Sequence, residues 1–338
     1  MQRRTAPLGL GDAAPRRVVI LRALQLGDVL CAVPALRALR AALPEAEIVL
    51  IGLPWARSFV ARFDHYLDGF REFPGFPGLP ERTPQVERIP SFLASMQRER
   101  FDLAIQLHGS GPFVNPLTVL LGARQCAGFF LPGDYCPDPE RFLPWPEQGL
   151  EIRRLLHLLE FLGVPSQGEE LEFPLRAADV QALDAIEESR ELVPGAYICI
   201  HPGASVPQRR WSAGRFAAVG RALADHGFPI VLTGTAAEAE LTRSVAVELS
   251  RPCLDLAGRT DLGALAVLLS RARILICNDT GVSHLAAALR VPSVVISTGD
   301  NPRRWAPIDG ALHPVLCRDS GVDPREVIAQ AERLLAGT

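Results

Sequence analysis

The amino-acid sequence predicts an α/β protein made of two Rossmann-like domains facing each other across a cleft, and three observations carry that expectation. Short β-branched runs alternate with helical periods along most of the chain, the pattern of a parallel sheet covered by helices. The alternation stops after a helical period at 150–164 and restarts at Tyr197. A length of 338 residues also exceeds what one hydrophobic core ordinarily supports. The expected domains are 1–170 and 171–338.

In the first half, RRVVILRA at 16–23 suits a buried parallel strand, and a loop then leads into the helical pattern DVLCAVPALRALRAAL at 28–43. EIVLIGL at 47–53 and DLAIQL at 102–107 supply further strands. The proline-rich stretch at 74–90 is expected to be irregular surface, and prolines return at 131–149 before the helix of 150–164. In the second half the strands are YICIHPG from Tyr197, PIVLTG at 229–234, CLDLAG at 253–258, RILICND at 273–279 and PSVVIST at 292–298. Helices are expected at about 213–226, 236–249 and 261–272, with another opening at Thr280. Ligands in such sheets bind beyond the carboxyl ends of the strands, which with two domains places the expected site in the cleft.

Composition narrows the function classes. Hydrophobic residues reach 48%, yet no uninterrupted apolar run approaches a membrane-spanning length. The N-terminal MQRRTAPLGLGDAAPRR carries no apolar stretch that would drive secretion, so a cytoplasmic location is expected. Seven cysteines are scattered without a CxxC pair, which suggests neither a disulfide framework nor a zinc site. A net charge of −3 provides no broad attraction for nucleic acid, so an anionic ligand must be held locally. Every basic residue other than histidine is an arginine.

Four constellations could carry chemistry. Gly27 permits a tight path out of the first strand and Asp28 opens a helix; Asp28 is either an N-cap or a general base that takes a proton from an attacking hydroxyl. Asn278-Asp279-Thr280-Gly281 runs from a buried strand into a helix containing His284. Such a terminus favours phosphate through its free N–H groups and dipole. The structural alternative makes Asp279 a cap and His284 a packed first-turn residue. His201-Pro202-Gly203-Ala204-Ser205, followed by Gln208-Arg209-Arg210-Trp211, sets small residues beside two guanidiniums, suited to a diphosphate or else merely solvated. Trp211 is expected to anchor packing. Glu238, after PIVLTG, could bond ribose hydroxyls or lie solvated, and Thr260 in LAGRTDLG lies at the same edge.

At these residues the sequence resembles the heptosyltransferases of glycosyltransferase family 9, which transfer heptose from ADP-heptose to the lipopolysaccharide core. LGDVLCAVPALRAL, FDLAIQLHG, HPGAS with QRRW, LAGRTDLGALAVLL and NDTGVSHLAAALRVP occur in the family's order and at comparable spacing. The resemblance implies a GT-B fold, inverting transfer without a required metal, and a donor bound mainly by the C-terminal half. It implies Asp28 as catalytic base and Asp279, Thr280 and Gly281 as the donor-phosphate motif, with His284 beside them. Glu238 matches the ribose-binding acid. Arg209 stands where the family usually carries a lysine, which keeps the charge but changes the geometry. A saccharide or lipid-linked saccharide acceptor follows, with peripheral contact at the inner face of the cytoplasmic membrane through that acceptor. The acceptor's identity stays open, because 54–100 and 108–149 carry no strong family motif.

Two alternatives share this architecture: a nucleotide-sugar epimerase, which needs no acceptor, and a non-catalytic nucleotide-sugar binding protein. A dinucleotide-dependent oxidoreductase is disfavoured because ALQLGD, and no GxGxxG loop, follows the first strand.

Overall fold

A computed structural model of the chain describes residues 14–299, 301–318 and 321–337. The reading of the N-terminus concerns mainly residues 1–13 and lies outside the described residues. Two compact units divide the chain, Met1–Glu169 and Glu170–Thr338.

The first unit opens with β1 (Arg17–Leu21), α1 (Leu26–Leu30), α2 (Val33–Ala42), β2 (Glu47–Gly52), α3 (Ala56–Arg62) and β3 (Gly69–Glu72). It continues through α4 (Ile89–Glu99), β4 (Leu103–Gln106), α5 (Val114–Leu120), β5 (Gln125–Phe130), β6 (Phe142–Pro144) and α6 (Glu151–Phe161). The sheet order is β3-β2-β1-β4-β5-β6 and every ladder is parallel. Val18 to Leu21 are all buried, as a strand covered on both faces requires. On one face Val19, Leu21, Val49, Ile51 and Ala104 pack with Met96 of α4 and Val114 and Leu117 of α5.

Two expectations for this unit need correction. The helix expected over 28–43 is two helices, parted by a turn at Cys31 and Ala32. Pro34 lies in the first turn of α2, where its missing N–H is harmless. Inside one continuous helix its ring would strike the carbonyl four residues back. The proline-rich stretch is not wholly surface either: Pro74 and Gly75 are buried, and α4 has already begun at Ile89.

The second unit holds α7 (Ala177–Asp184), β7 (Ile198–His201), α8 (Ala213–Asp225), β8 (Ile230–Leu232), α9 (Ala239–Leu249) and β9 (Cys253–Asp255). Then follow α10 (Leu262–Ser270), β10 (Ile274–Asn278), α11 (Gly281–Ala288), β11 (Ser293–Ser297), α12 (Pro302–Trp305), β12 (Val315–Cys317) and α13 (Pro324–Ala336). Its order, β12-β11-β10-β7-β8-β9, is again wholly parallel. Ile198, Ile200, Ile230, Leu232, Ile274, Ile276, Val294 and Ile296 face Phe216 and Val219 of α8 and Val327 of α13 in one core.

In each unit the first strand sits mid-sheet and the winding reverses beside it, between β1 and β4 and between β7 and β10. Loops leaving such neighbours run to opposite faces and leave room at the strands' carboxyl ends. No helix among the described residues is long and apolar enough to cross a membrane.

Candidate active site

At the switch point of the first unit, the turn from β1 to α1 is held by two side chains. Arg22 is buried; its Nε donates to the Asp28 carbonyl at 2.7 Å and one terminal nitrogen donates to the Leu107 carbonyl. Its other nitrogen meets Glu151 Oε1 at 3.3 Å, while Arg154 donates to Glu151 Oε2 at 2.9 Å. The Glu151 carboxylate lies between two guanidiniums and offsets one of their two positive charges. Ala23 N–H donates to Nδ1 of His108 at 3.1 Å. His108 follows the end of β4, where Gln106 accepts from the His108 and Gly109 amides and donates to Asn115 and the Phe129 carbonyl. Gly128 makes room for this knot: a Cβ there would lie 2.4 Å from Gln106 Cγ.

Asp28 is half-buried at the third position of α1, and the N-cap is Gln25. Asp28 therefore does not stand at the capping position, because the helix begins three residues earlier than a cap at Asp28 would require. Gly27 is buried and lies inside α1, with no left-handed backbone.

At the switch point of the second unit, Asn278 bridges two strand ends. Its Oδ1 accepts from the Trp211 amide at 3.0 Å, and Nδ2 donates to the Pro202 and Gly203 carbonyls at 2.8 and 3.3 Å. The loop carrying Gly203, Ser205, Arg209 and Arg210 is thus tied to the strand that feeds α11. Ser205 and Arg209 are exposed, while Arg210 is half-buried and donates to the Ala204 carbonyl at 2.9 Å. Trp211 is the packing anchor expected of it: it is buried, lies edge-on to Phe216 and donates to the Val322 carbonyl.

Glu238 is not solvated. It is buried and closes a capping box, its Oε2 accepting from the Thr235 amide at 2.8 Å and hydroxyl at 2.9 Å. The carboxylate lies against Gly203, where a Cβ would come within 2.2 Å of Oε1. His201, at the end of β7, meets the Thr233 hydroxyl through Nδ1 at 3.0 Å. Burial holds its imidazole below the usual range, while the nearby Glu238 charge acts in the opposite direction. Thr260 is half-buried, just before Asp261, which caps α10 through the Ala264 amide at 2.7 Å.

Thr280, not Asp279, is the N-cap of α11. The cap is unusual: the Thr280 hydroxyl is buried yet makes no hydrogen bond among the described residues. Gly281 is the first helical residue, and its amide lies at a helix start with no acceptor inside the helix. Asp279 and His284 are both buried, and His284 lies edge-on to Trp305 at 6.4 Å. No group of three or more His, Cys, Asp or Glu among the described residues could hold a metal ion.

Of the expected residues, Gly203 and Glu238 are in direct juxtaposition, and Asn278 joins their loop to the Asp279–Gly281 turn. Sequence reasoning gave no role to Arg22, Glu81, Gln106, His108 or Glu151. Arg22 and His108 had a usable signal, since each is a polar residue next to a buried strand at its carboxyl end. Glu81, in the proline-rich stretch, had none.

Two parallel sheets of Rossmann order, with polar groups gathered at both switch points, are the organisation of a GT-B glycosyltransferase. The family model described as glycosyltransferase family 9 (heptosyltransferase) matches residues 91–319, and the chain belongs to that family. Lipopolysaccharide heptosyltransferase 2 of Escherichia coli strain K12 is 24% identical over 313 residues, 86% of this chain and 85% of that protein. A family 9 glycosyl transferase from Veillonella parvula DSM 2008 superposes with a TM-score of 0.77 at 22% identity, covering 96% of this chain and 98% of the other. The structure of the E. coli ADP-heptose lipopolysaccharide heptosyltransferase II gives a TM-score of 0.72 at 19% identity, over 95% and 99% of the two chains.

Proposed function

We propose that this glycosyltransferase moves heptose from ADP-heptose onto a lipopolysaccharide-core or related envelope saccharide, with inversion at the anomeric carbon. Asp28 takes the proton of the acceptor hydroxyl as its oxygen attacks. The bond from the anomeric carbon to the diphosphate breaks in the same step, and ADP departs from the opposite face. The N-terminal domain, 1–170, takes the acceptor and the C-terminal domain, 171–338, holds the donor.

In the donor domain, Arg209 and Arg210 and the start of α11 stabilise the charge that develops on the leaving diphosphate. The Thr280 hydroxyl bonds a phosphate oxygen, the Gly281 amide does the same, and Ser205 and Gly203 allow close approach. Glu238 accepts from ribose hydroxyls through Oε1 while Oε2 stays in its capping box. Thr260 contacts the nucleoside, and Asp279 and His284 shape the turn beneath the phosphates. This route assigns charge stabilisation to protein groups, without a metal. A lipid-linked acceptor would bring a cytoplasmic enzyme to the inner face of the cytoplasmic membrane.

The observation that carries the donor assignment is the Asn278 bridge, because it keeps the arginine-bearing loop and the α11 terminus at one switch point. Family membership favours transfer over the epimerase alternative. The test is a donor screen in which ADP-heptose competes with other nucleotide sugars over envelope saccharide acceptors, reading released nucleotide and product mass. Preference for another donor would overturn the substrate; nucleotide-sugar turnover without an acceptor would restore the epimerase reading.

A further inference from the structure

We infer that His108, oriented by Glu81, is a positioning residue for the turn that presents Asp28. The inference rests on Asp28 being the base.

His108 is buried at the carboxyl end of β4, and its two ring nitrogens have different surroundings. Nδ1 accepts the Ala23 N–H at 3.1 Å, so it carries no proton. In the neutral ring the proton therefore sits on Nε2, 3.3 Å from Glu81 Oε1 in a close electrostatic contact that falls outside hydrogen-bond geometry. Burial alone would raise the Glu81 carboxyl, but its interaction with His108 brings it below the ordinary range, so the partner facing Nε2 is a carboxylate. A carboxylate that faces one imidazole nitrogen selects the tautomer whose other nitrogen can accept. Here that acceptor is spent on a backbone amide five residues before Asp28.

The other attachments of this relay are rigid. The His108 amide is bonded to Gln106 Oε1 at 3.1 Å, and the neighbouring Leu107 carbonyl is held by Arg22, which also holds the Asp28 carbonyl. The loop bearing Glu81 is tied to β3, since Arg82 donates to Glu72 at 2.9 Å and to the Phe73 carbonyl at 2.6 Å. Ala23 is thus the point at which the β3–α4 loop reaches the β1–α1 turn through a side chain. Small displacements of a catalytic group lower turnover strongly while leaving remote binding intact.

The test compares His108→Leu, His108→Asn and His108→Gln with the parent in steady-state transfer, alongside thermal unfolding and hydrogen exchange of the peptide containing Ala23. Asn places an acceptor near Nδ1, whereas Gln places its polar end near Nε2. The expected result for Leu is a kcat lowered about ten- to hundredfold with donor KM within about twofold, and faster exchange at Ala23. Asn should recover most of kcat and of the protection, and Gln should not. Should the Leu variant fail to fold, the Asn and Gln variants alone decide. Parental kcat in the Leu variant, or equal losses in Asn and Gln, would overturn the inference. An Asp28→Asn control assayed in parallel separates the two readings: if it retains parental turnover, the base assignment fails whatever His108 does.

Discussion

Arg22 reaches from the end of β1 to the carbonyl of Asp28, with Nε 2.7 Å from the oxygen, while both its terminal nitrogens are engaged at Leu107 and Glu151. One buried side chain thus connects the proposed base to the neighbouring strand end and to the start of α6. Arg22→Leu leaves Glu151 with Arg154 and strips two carbonyls of their donor. We expect a loss of about 3 kcal/mol in urea unfolding, the low end for breaking a buried ion pair. A loss under about 1 kcal/mol would mean that the cluster relaxes around the gap.

Thr280→Val separates binding from stability. The hydroxyl it removes is buried and unbonded among the described residues, so the unliganded variant should be as stable as the parent, or more stable by about 1 kcal/mol. ADP affinity, measured by titration calorimetry, should fall about tenfold, the worth of one charge-assisted hydrogen bond. Unchanged affinity would show that this hydroxyl does not meet the diphosphate.

Gly203→Ala tests the close approach of Glu238. The new Cβ would meet the carboxylate at 2.2 Å, so Glu238 or the loop must move. We expect a higher donor KM, and a stability loss of about 1 kcal/mol if the capping box opens. Parental values of both would mean that the loop yields freely.

Acid should weaken the second unit through two buried histidines. Burial holds His201 below its ordinary range and pushes His313 down to about 4, although Asp309 acts the other way on His313. The unfolded chain then takes up protons first. Stability is complete above the ordinary imidazole value of about 6.5, falls as the pH drops below it, and levels off once the folded histidines are themselves protonated. From His313 alone the loss should reach roughly 3 kcal/mol near pH 4. Urea unfolding at a series of pH values should show the slope, and His313→Asn should flatten it; an unchanged slope in that variant would exclude His313 as the source.

Much of the fold was legible in residues such as Val18 to Ile20 and Ile274 to Cys277, because a strand buried on both faces is a continuous apolar run. β3 (Gly69–Glu72) was not, since GFRE is a half-buried edge strand whose pairing with β2 comes from tertiary structure. The split at Cys31 could have been drawn from Pro34. The donor-side residues were legible as loops after strands, but their geometry was not: Glu238 is a capping residue as well as a candidate ribose ligand, and Thr280 displaces Asp279 as the cap. The relay from Glu81 to Ala23 joins positions 58 apart in the chain, a relationship that no local period records.

The role of Asp28 as the base is read out by single-turnover transfer from ADP-heptose with Asp28→Asn, alongside calorimetric titration of ADP into the same variant. If Asp28 takes the acceptor proton, the transfer rate falls by about a thousandfold, within the range of a lost general base, and the ADP Kd stays within about twofold of the parent. Transfer at the parental rate would contradict it.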